Sequence, residues 1–184
     1  DVAMDAAVLA RAVPGRPVRL VWSRAGEFGA APLGAAMSTR VRLWMDGPQI
    51  AAARVSVTSP PHSTRPGTAD APFLRAAALF EAPVPFPEAP DLPPARGHGA
   101  ARNAHPLYAA PALVERKLVP DLPWRSSALR SLGAHLNVFA IETALERGLM
   151  LAGSDPFDGR LANLEDARAR ACLSRLREFG AELM

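Results

Sequence analysis

The residues best spaced to do chemistry lie in one run, Trp124-Arg125-Ser126-Ser127-Ala128-Leu129-Arg130-Ser131-Leu132-Gly133-Ala134, continued by His135-Leu136-Asn137-Val138-Phe139-Ala140. Arginines and a turn of small residues stand directly before an apolar stretch of helical character. A helix start leaves backbone N–H groups unpaired, and a guanidinium beside it adds positive charge, so the junction suits an anionic cofactor. The same spacing also suits an arginine that pairs with a nearby carboxylate or carbonyl. On spacing alone that plainer reading is favoured.

Other reactive residue types offer less. Cys172 is the only cysteine, which excludes an intrachain disulfide and any Cys-x-x-Cys metal or redox site, and it reads as a small apolar filler on a helix. His62, His98, His105 and His135 show no ligand spacing such as His-x-x-x-His, so no protein metal site is expected. The first three fall in a loop region and read as solvent-exposed. The formal net charge is +3 and the pI about 9.9, yet the cations are arginines scattered among carboxylates, with Lys117 the only lysine. Alanine, proline and arginine abundance of this kind matches a GC-rich bacterial genome, and no basic block points to nucleic acid. No apolar run approaches the ~18 residues of a membrane span, and the longest near Ser131 stops at Glu142, so a soluble chain is expected.

The elements that must position the key run are mixed. Asp1 to Ala12 carries apolar residues at helical intervals and ends at Val13-Pro14-Gly15, where proline and glycine break the helix. It has no capping signal ahead of it, as though the sequence began inside a helix. Pro17–Ser23 alternates like a strand, Arg24–Ala35 reads as a polar link, and Met37–Met45 and Gln49–Thr58 read as an antiparallel pair around Asp46-Gly47. From Pro60 to Pro111 the chain holds 12 of its 19 prolines, which predicts a long covering loop with one short helix at Ala71–Glu81. Leu107-Tyr108 and Ala112–Val119 read as short strands, with Pro120–Trp124 leading to the surface.

The helix after Gly133 shows two apolar stripes, Leu132, Leu136, Phe139, Ala140 and Thr143, and Val138, Ile141 and Leu145; it is expected to be buried on most sides and to end at Gly148 or Gly153. Ser154-Asp155-Pro156 caps a short helix over Phe157–Leu164. Asp166 opens an Arg-rich amphipathic helix through Phe179, with Ala169, Cys172, Leu173 and Leu176 toward the core. No internal repeat is present. The fold class is α+β, with short mixed or antiparallel strands, a long Pro-rich loop and C-terminal helices, organised as 1–59 (helix and strands), 60–111 (covering loop) and 112–184 (key loop and helices).

At Arg125 to Ala134, followed by Asn137-Val138-Phe139-Ala140-Ile141-Glu142, the sequence resembles the molybdopterin-binding large subunit of the xanthine dehydrogenase and aldehyde oxidase family, nearest to its bacterial two-subunit branch of the isoquinoline 1-oxidoreductase type. Gly15 to Arg24, Arg102-Asn103-Ala104 with Pro106-Leu107-Tyr108, and Asp155-Pro156 with Arg160-Leu161 and Leu164 extend the resemblance in the same order. It implies a fragment of a molybdopterin-binding domain, and oxidative hydroxylation of an N-heterocycle or an aldehyde. The cofactor it implies is molybdopterin carrying molybdenum, in its plain or cytosine dinucleotide form. The metal is there held by the pterin's sulfurs and by oxo and sulfido ligands, so no protein ligand is required.

Matched residue by residue, Arg130 would lie against the cofactor together with Ser131, Gly133 and Ala134, and Leu132 would wall the substrate pocket. Leucine there replaces an aromatic residue common in the xanthine dehydrogenase branch, which argues against a purine held by ring stacking. The resemblance implies an iron–sulfur small subunit with two [2Fe-2S] clusters as partner. The catalytic glutamate and a second Gly-rich cofactor loop of the family have no match here, so this piece alone is expected to be inactive. Two other readings belong to different classes: a non-catalytic module docking a protein through the Arg-rich helix and Pro-rich loop, and non-specific nucleic-acid binding, which the scattered arginines disfavour.

Overall fold

In a computed structural model, residues 2–62, 81–83, 91–119, 126–127 and 129–183 are described. The fold is α+β, as the sequence pattern predicts. Helix α1 (Val2–Ala12) stops before Gly15, whose φ of +78° supplies the left-handed turn. No residue of α1 is buried. Pro17–Ser23 keeps the alternation of a strand, with Val18, Leu20 and Trp22 half-buried, but pairs with no ladder. The following link is instead a helix, α2 (Arg24–Ala30): the Ser23 hydroxyl accepts from the Gly26 N–H at 3.1 Å, and Arg24 pairs with Glu27 at 2.6 Å. A capped first turn outweighs two glycines that read as linker.

Strand β1 (Leu33–Gly34) precedes the hairpin of β2 (Ser38–Asp46) and β3 (Gln49–Ser59), which turns through Gly47. Pairing runs from Ser38 opposite Thr58 to Asp46 opposite Gln49, with a shift between Trp44 and Met45. The extra residue, Ala51, reverses the parity of β3, so Ile50 and then Ala53, Val55 and Val57 all face inward. Strand β4 (Ala112–Leu118) lies parallel to β3, from Ala112 opposite Ala53 to Leu118 opposite Ser59. Parallel neighbours need a long crossover, and the Pro-rich segment provides it. The short helix expected at Ala71–Glu81 lies, but for Glu81, outside the described residues, as does Pro120–Trp124. Leu107-Tyr108 is an irregular bend rather than a strand. Strand β5 (Ser126–Ser127) pairs in parallel with β1, tying the start of the key run to the chain ahead of the hairpin.

Helix α3 (Ala134–Leu151) lies across the inner face of the sheet. Its buried line is Asn137, Ile141, Leu145 and Leu149, which pack with Ile50, Val55 and Val57. It is therefore buried along one face and not all round: Val138, Phe139, Met150 and Leu151 are exposed. An asparagine, not the Phe139 stripe, faces the core because its amide finds three partners there. The helix runs through Gly148 and ends ahead of Gly153, at φ +66°. Helix α4 (Pro156–Asn163) starts where Asp155 accepts from the N–H groups of Phe157 and Asp158 at 2.9 and 3.0 Å. Helix α5 (Ala167–Leu183) begins with Asp166 accepting from Ala169 N–H at 2.7 Å. Ala169 and Leu173 reach the core, but Cys172, Leu176 and Phe179 are exposed, because α5 meets α4 along a narrow line. Among the described residues no helix is long and apolar enough to cross a membrane.

Candidate functional site

The key run forms a tight loop, Leu129 to Gly133, that delivers the chain into α3. Ser131 and Leu132 stand at φ of +80° and +53°, a conformation that L residues adopt only under constraint. The loop is closed by Leu132 N–H donating to Leu129 C=O and Ala134 N–H to Ser131 C=O, both at 3.0 Å. What holds it there is Gly133. A Cβ on Gly133 would lie 2.7 Å from the carbonyl carbon of Ala100 and 2.8 Å from the oxygen of Gly99, and closer still to the Ala100 oxygen. The two backbones are therefore in direct contact, and Gly133 N–H donates to Gly99 C=O at 3.2 Å.

The 99–100 segment is fixed in turn from two sides. Asn137, fully buried, donates to the carbonyls of Ala100 and Arg102 at 2.9 and 3.0 Å and accepts from the Thr39 hydroxyl at 2.8 Å. The buried Asp91 carboxylate accepts from the N–H of Ala100 at 3.0 Å, the N–H of His62 at 3.1 Å and the Arg116 guanidinium at 2.9 Å. Every one of these polar groups is paired, as burial requires.

In front of this buttress lies a cleft of about 300 Å³. Gly34, Ala35 and Met37 line it from the link into β2, Leu129, Arg130 and Leu132 from the loop, and His135 and Leu136 from the first turn of α3. His62, just after β3, completes the wall. Of the residues matched to the family's loop, Arg130 and Leu132 are on the cleft itself. Ser131 is exposed beside it, Gly133 is the buried contact behind it, and Ala134 is the first residue of α3. The Arg130 side chain has no hydrogen bond or ion pair with any described residue.

His62 is not the exposed loop histidine that its surroundings in sequence predict. It is 3% exposed, because Asp91 and Ser59 fold the chain back over it. Burial lowers its pKa below the ordinary histidine range, against the raising effect of the Asp91 charge. The only local signal for this was Ser59 three residues earlier. His105 is exposed, as expected, and His98 is half-buried at φ +57°.

Further along, the middle of α3 carries a polar clamp. The Tyr108 hydroxyl donates to Glu142 at 2.9 Å, and Arg160 bridges Glu142 and Glu146 at 3.1 and 2.6 Å. Burial, with the Glu142 charge, pushes the Tyr108 phenol well above its usual range. On the outer face of the sheet, Arg54 and Ser56 hold Glu115 at 2.6 and 2.8 Å and pull its carboxyl down to about 2. Among the described residues no group of three His, Cys, Asp or Glu side chains could hold a metal ion. Compared with known proteins, the chain matches no protein-family model and no curated protein.

Proposed function

We propose that the chain is part of the large subunit of a molybdenum hydroxylase, and that the Leu129–Gly133 loop forms one wall of its molybdopterin site. The observation that carries this reading is the combination of Gly133 wedged on backbone, two non-glycine residues held at positive φ, and an Arg130 that lines the cleft with no partner among the described residues. Strain of this kind persists only where surrounding structure over-determines it, and it gathers at binding and catalytic sites. A loop that served only to enter a helix would need none of it.

The residues present suit the group. Arg130 and the open first turn of α3 can donate hydrogen bonds to an oxygen-rich cofactor, while Leu132 and Met37 give the cleft apolar walls for a flat ring. When bound, the cofactor would supply the two-electron chemistry of oxidative hydroxylation on an N-heterocycle or aldehyde, with electrons leaving toward a partner's [2Fe-2S] clusters. This chain's own part is to orient, through Arg130 and the rigid loop, and to shape the pocket through Leu132.

The test is Arg130→Ala in the complete large subunit with its cofactor. Molybdenum content or turnover falls by at least about tenfold, the scale of one lost charge-assisted contact. The melting temperature stays within a few degrees, since Arg130 is exposed and packs on nothing in the core. Unchanged metal content and unchanged turnover would remove the assignment.

A further inference from the structure

The outer face of the three-stranded sheet, turned away from α3, is unused by everything above. Two of the rows that cross it are Arg40, Ser56 and Glu115, and Arg42, Arg54 and Leu113. All of these but Leu113 line a cleft of about 310 Å³. Its one carboxylate is already engaged: Glu115 accepts from Arg54 at 2.9 and 2.6 Å and from the Ser56 hydroxyl at 2.8 Å. Arg40 and Arg42, both exposed, have no hydrogen bond or ion pair among the described residues. Arg42 also stands directly across from Arg54, a like-charge pairing that weakens a sheet.

The strand that carries the two free arginines is an edge. The sheet order is β2, β3, β4, and no described strand pairs with the other side of β2. Its nine residues include no proline and alternate exposed and half-buried without a break. The core is unfinished along that edge. Val41, Leu43 and Met45 point inward yet are only half-buried, whereas the residues opposite them, Val55, Ala53 and Ile50, are buried. Unpaired N–H and C=O groups on such an edge are a template for another strand.

Arginines on an edge strand also keep strands away, but which strands depends on charge. A second copy of β2 would set Arg40 and Arg42 against the same two residues, so self-pairing is disfavoured. A strand with carboxylates in those places is attracted instead. Arg40 and Arg42 are two residues apart, roughly 7 Å along an extended chain, so matching carboxylates also fall on alternate residues. The residues between them point to the other face, toward Val41 and Leu43, where apolar side chains fit.

We propose that the free edge of β2 is a docking site for an extended segment of a partner protein in which acidic and apolar residues alternate. The segment adds as a fourth strand, with its carboxylates on Arg40 and Arg42 and its apolar side chains closing the core beside Val41 and Leu43. Trp44, exposed on the same face as the arginines, flanks the acidic side with an aromatic ring. Asp46, at the hairpin end of β2, limits the acidic run, because a carboxylate opposite it would be repelled. The inference takes nothing from the proposed function.

The experiment uses the complete protein and a dye-labelled nine-residue peptide in which glutamate alternates with valine, followed by fluorescence anisotropy at low salt. The peptide binds saturably, and the same peptide with lysine for glutamate does not. A third peptide keeps every side chain of the first but carries backbone N-methyl groups on two adjacent central residues, one of which must face β2. It binds at least about tenfold more weakly, since it cannot complete the ladder. Reversing both charges, by Arg40→Glu with Arg42→Glu, weakens the glutamate peptide by at least about tenfold and lets the lysine peptide bind.

Both substituted positions are exposed, and the melting temperature checks that the fold is kept. Should the double variant fail to fold, the three peptides on the wild-type protein decide. The proposal is overturned if the glutamate peptide does not bind saturably, if the lysine or N-methylated peptide binds as well, or if the folded double variant binds unchanged. A single-stranded oligonucleotide of the same charge that binds more tightly than the peptide overturns it too, in favour of a nucleic-acid surface. Molybdenum loading plays no part in the readout, so the functional reading stands or falls separately.

Discussion

At its C-terminal end α3 is finished the way a structural helix is. Gly153 turns left-handed, Gly153 N–H reaches back to Met150 and Ser154 N–H to Leu149 at 3.1 and 3.0 Å, and ahead of them the Tyr108–Glu142–Arg160–Glu146 clamp locks the middle turns to α4. At its N-terminal end the same helix has no side-chain cap, follows two strained residues, and stands beside N–H groups, a guanidinium and an imidazole nitrogen that have no partner among the described residues. Both ends are anchored, but only one is satisfied. The difference teaches where the fold spends its polar groups on itself and where it holds them back for something else.

The sharpest way to break that comparison is at the anchor behind the open end. Gly133→Ala would drive a methyl group into the Ala100 carbonyl, which is backbone and cannot turn aside. We expect a loss of about 3 kcal/mol in a denaturant titration, the upper range for overpacking. Gly159→Ala is the control at the satisfied end. The atoms nearest its Cβ would be those of the Leu149 side chain, at 2.7 Å from Cδ1 and closer still to Cδ2, the far end of a side chain and not backbone. Its cost should be clearly smaller. Equal costs would mean that Gly133 is no more constrained than an ordinary packed glycine.

Next in size is the clamp. Arg160 is 17% exposed while its glutamate partners are 39% and 41% exposed, so solvent screens the pair and the loss from Arg160→Ala is about 1 kcal/mol. Molybdenum loading of the complete large subunit should not change, because the clamp stands on the middle of α3, two turns beyond the loop. If it fell, the clamp and the loop would be coupled and the division of labour would be wrong.

These two ends were not equally legible in the sequence. Asp155-Pro156, Gly153, Asp46-Gly47 and Pro14-Gly15 act through their own backbone preferences, so the breaks they make are local and could be read without the fold. The same is true of the alternation in Met37–Met45 and Ala112–Val119. The orientation of α3 was not legible, because Asn137 is inside only by virtue of Thr39 and two carbonyls from the Pro-rich crossover. Cys172 and Leu176 read as core residues for the same reason: amphipathicity tells that α5 has an apolar side, and not how much of that side α4 covers. In the site, Arg130 and Leu132 were recognisable from the loop's residue types, whereas His62 was read as exposed. Its burial depends on Asp91, which is distant in sequence and gives no periodic signal.

The strain itself offers a smaller test, with the opposite sign. Ser131 at φ +80° sits where glycine is at home, and it is exposed, so Ser131→Gly removes the steric cost without opening a cavity. After the extra backbone entropy of glycine is set against that relief, we expect a gain of about 0.5 kcal/mol. Molybdenum loading of the complete large subunit should weaken at the same time, because a looser loop no longer presents Arg130 in one place. A variant that is more stable and binds as well would show that the strain serves nothing.

The smallest effect belongs to the cap of α4, and it is read through pH. The N–H group of Asp158 first, with that of Phe157 and the Arg177 charge, holds the Asp155 carboxyl below the ordinary carboxylate range against the opposing effect of burial. A carboxyl depressed in the folded state stabilises at pH values above its unfolded pKa and loses that contribution as pH falls through the folded value. Asp155→Asn keeps an N-cap acceptor but cannot titrate. The melting temperature of the wild type should therefore exceed that of Asp155→Asn near neutrality, and the gap should close on acidification through the carboxylate range. A gap that persists unchanged into acid would mean that the Asp155 charge takes no part in starting α4, and that the firmness of this end rests on the Arg160 clamp alone.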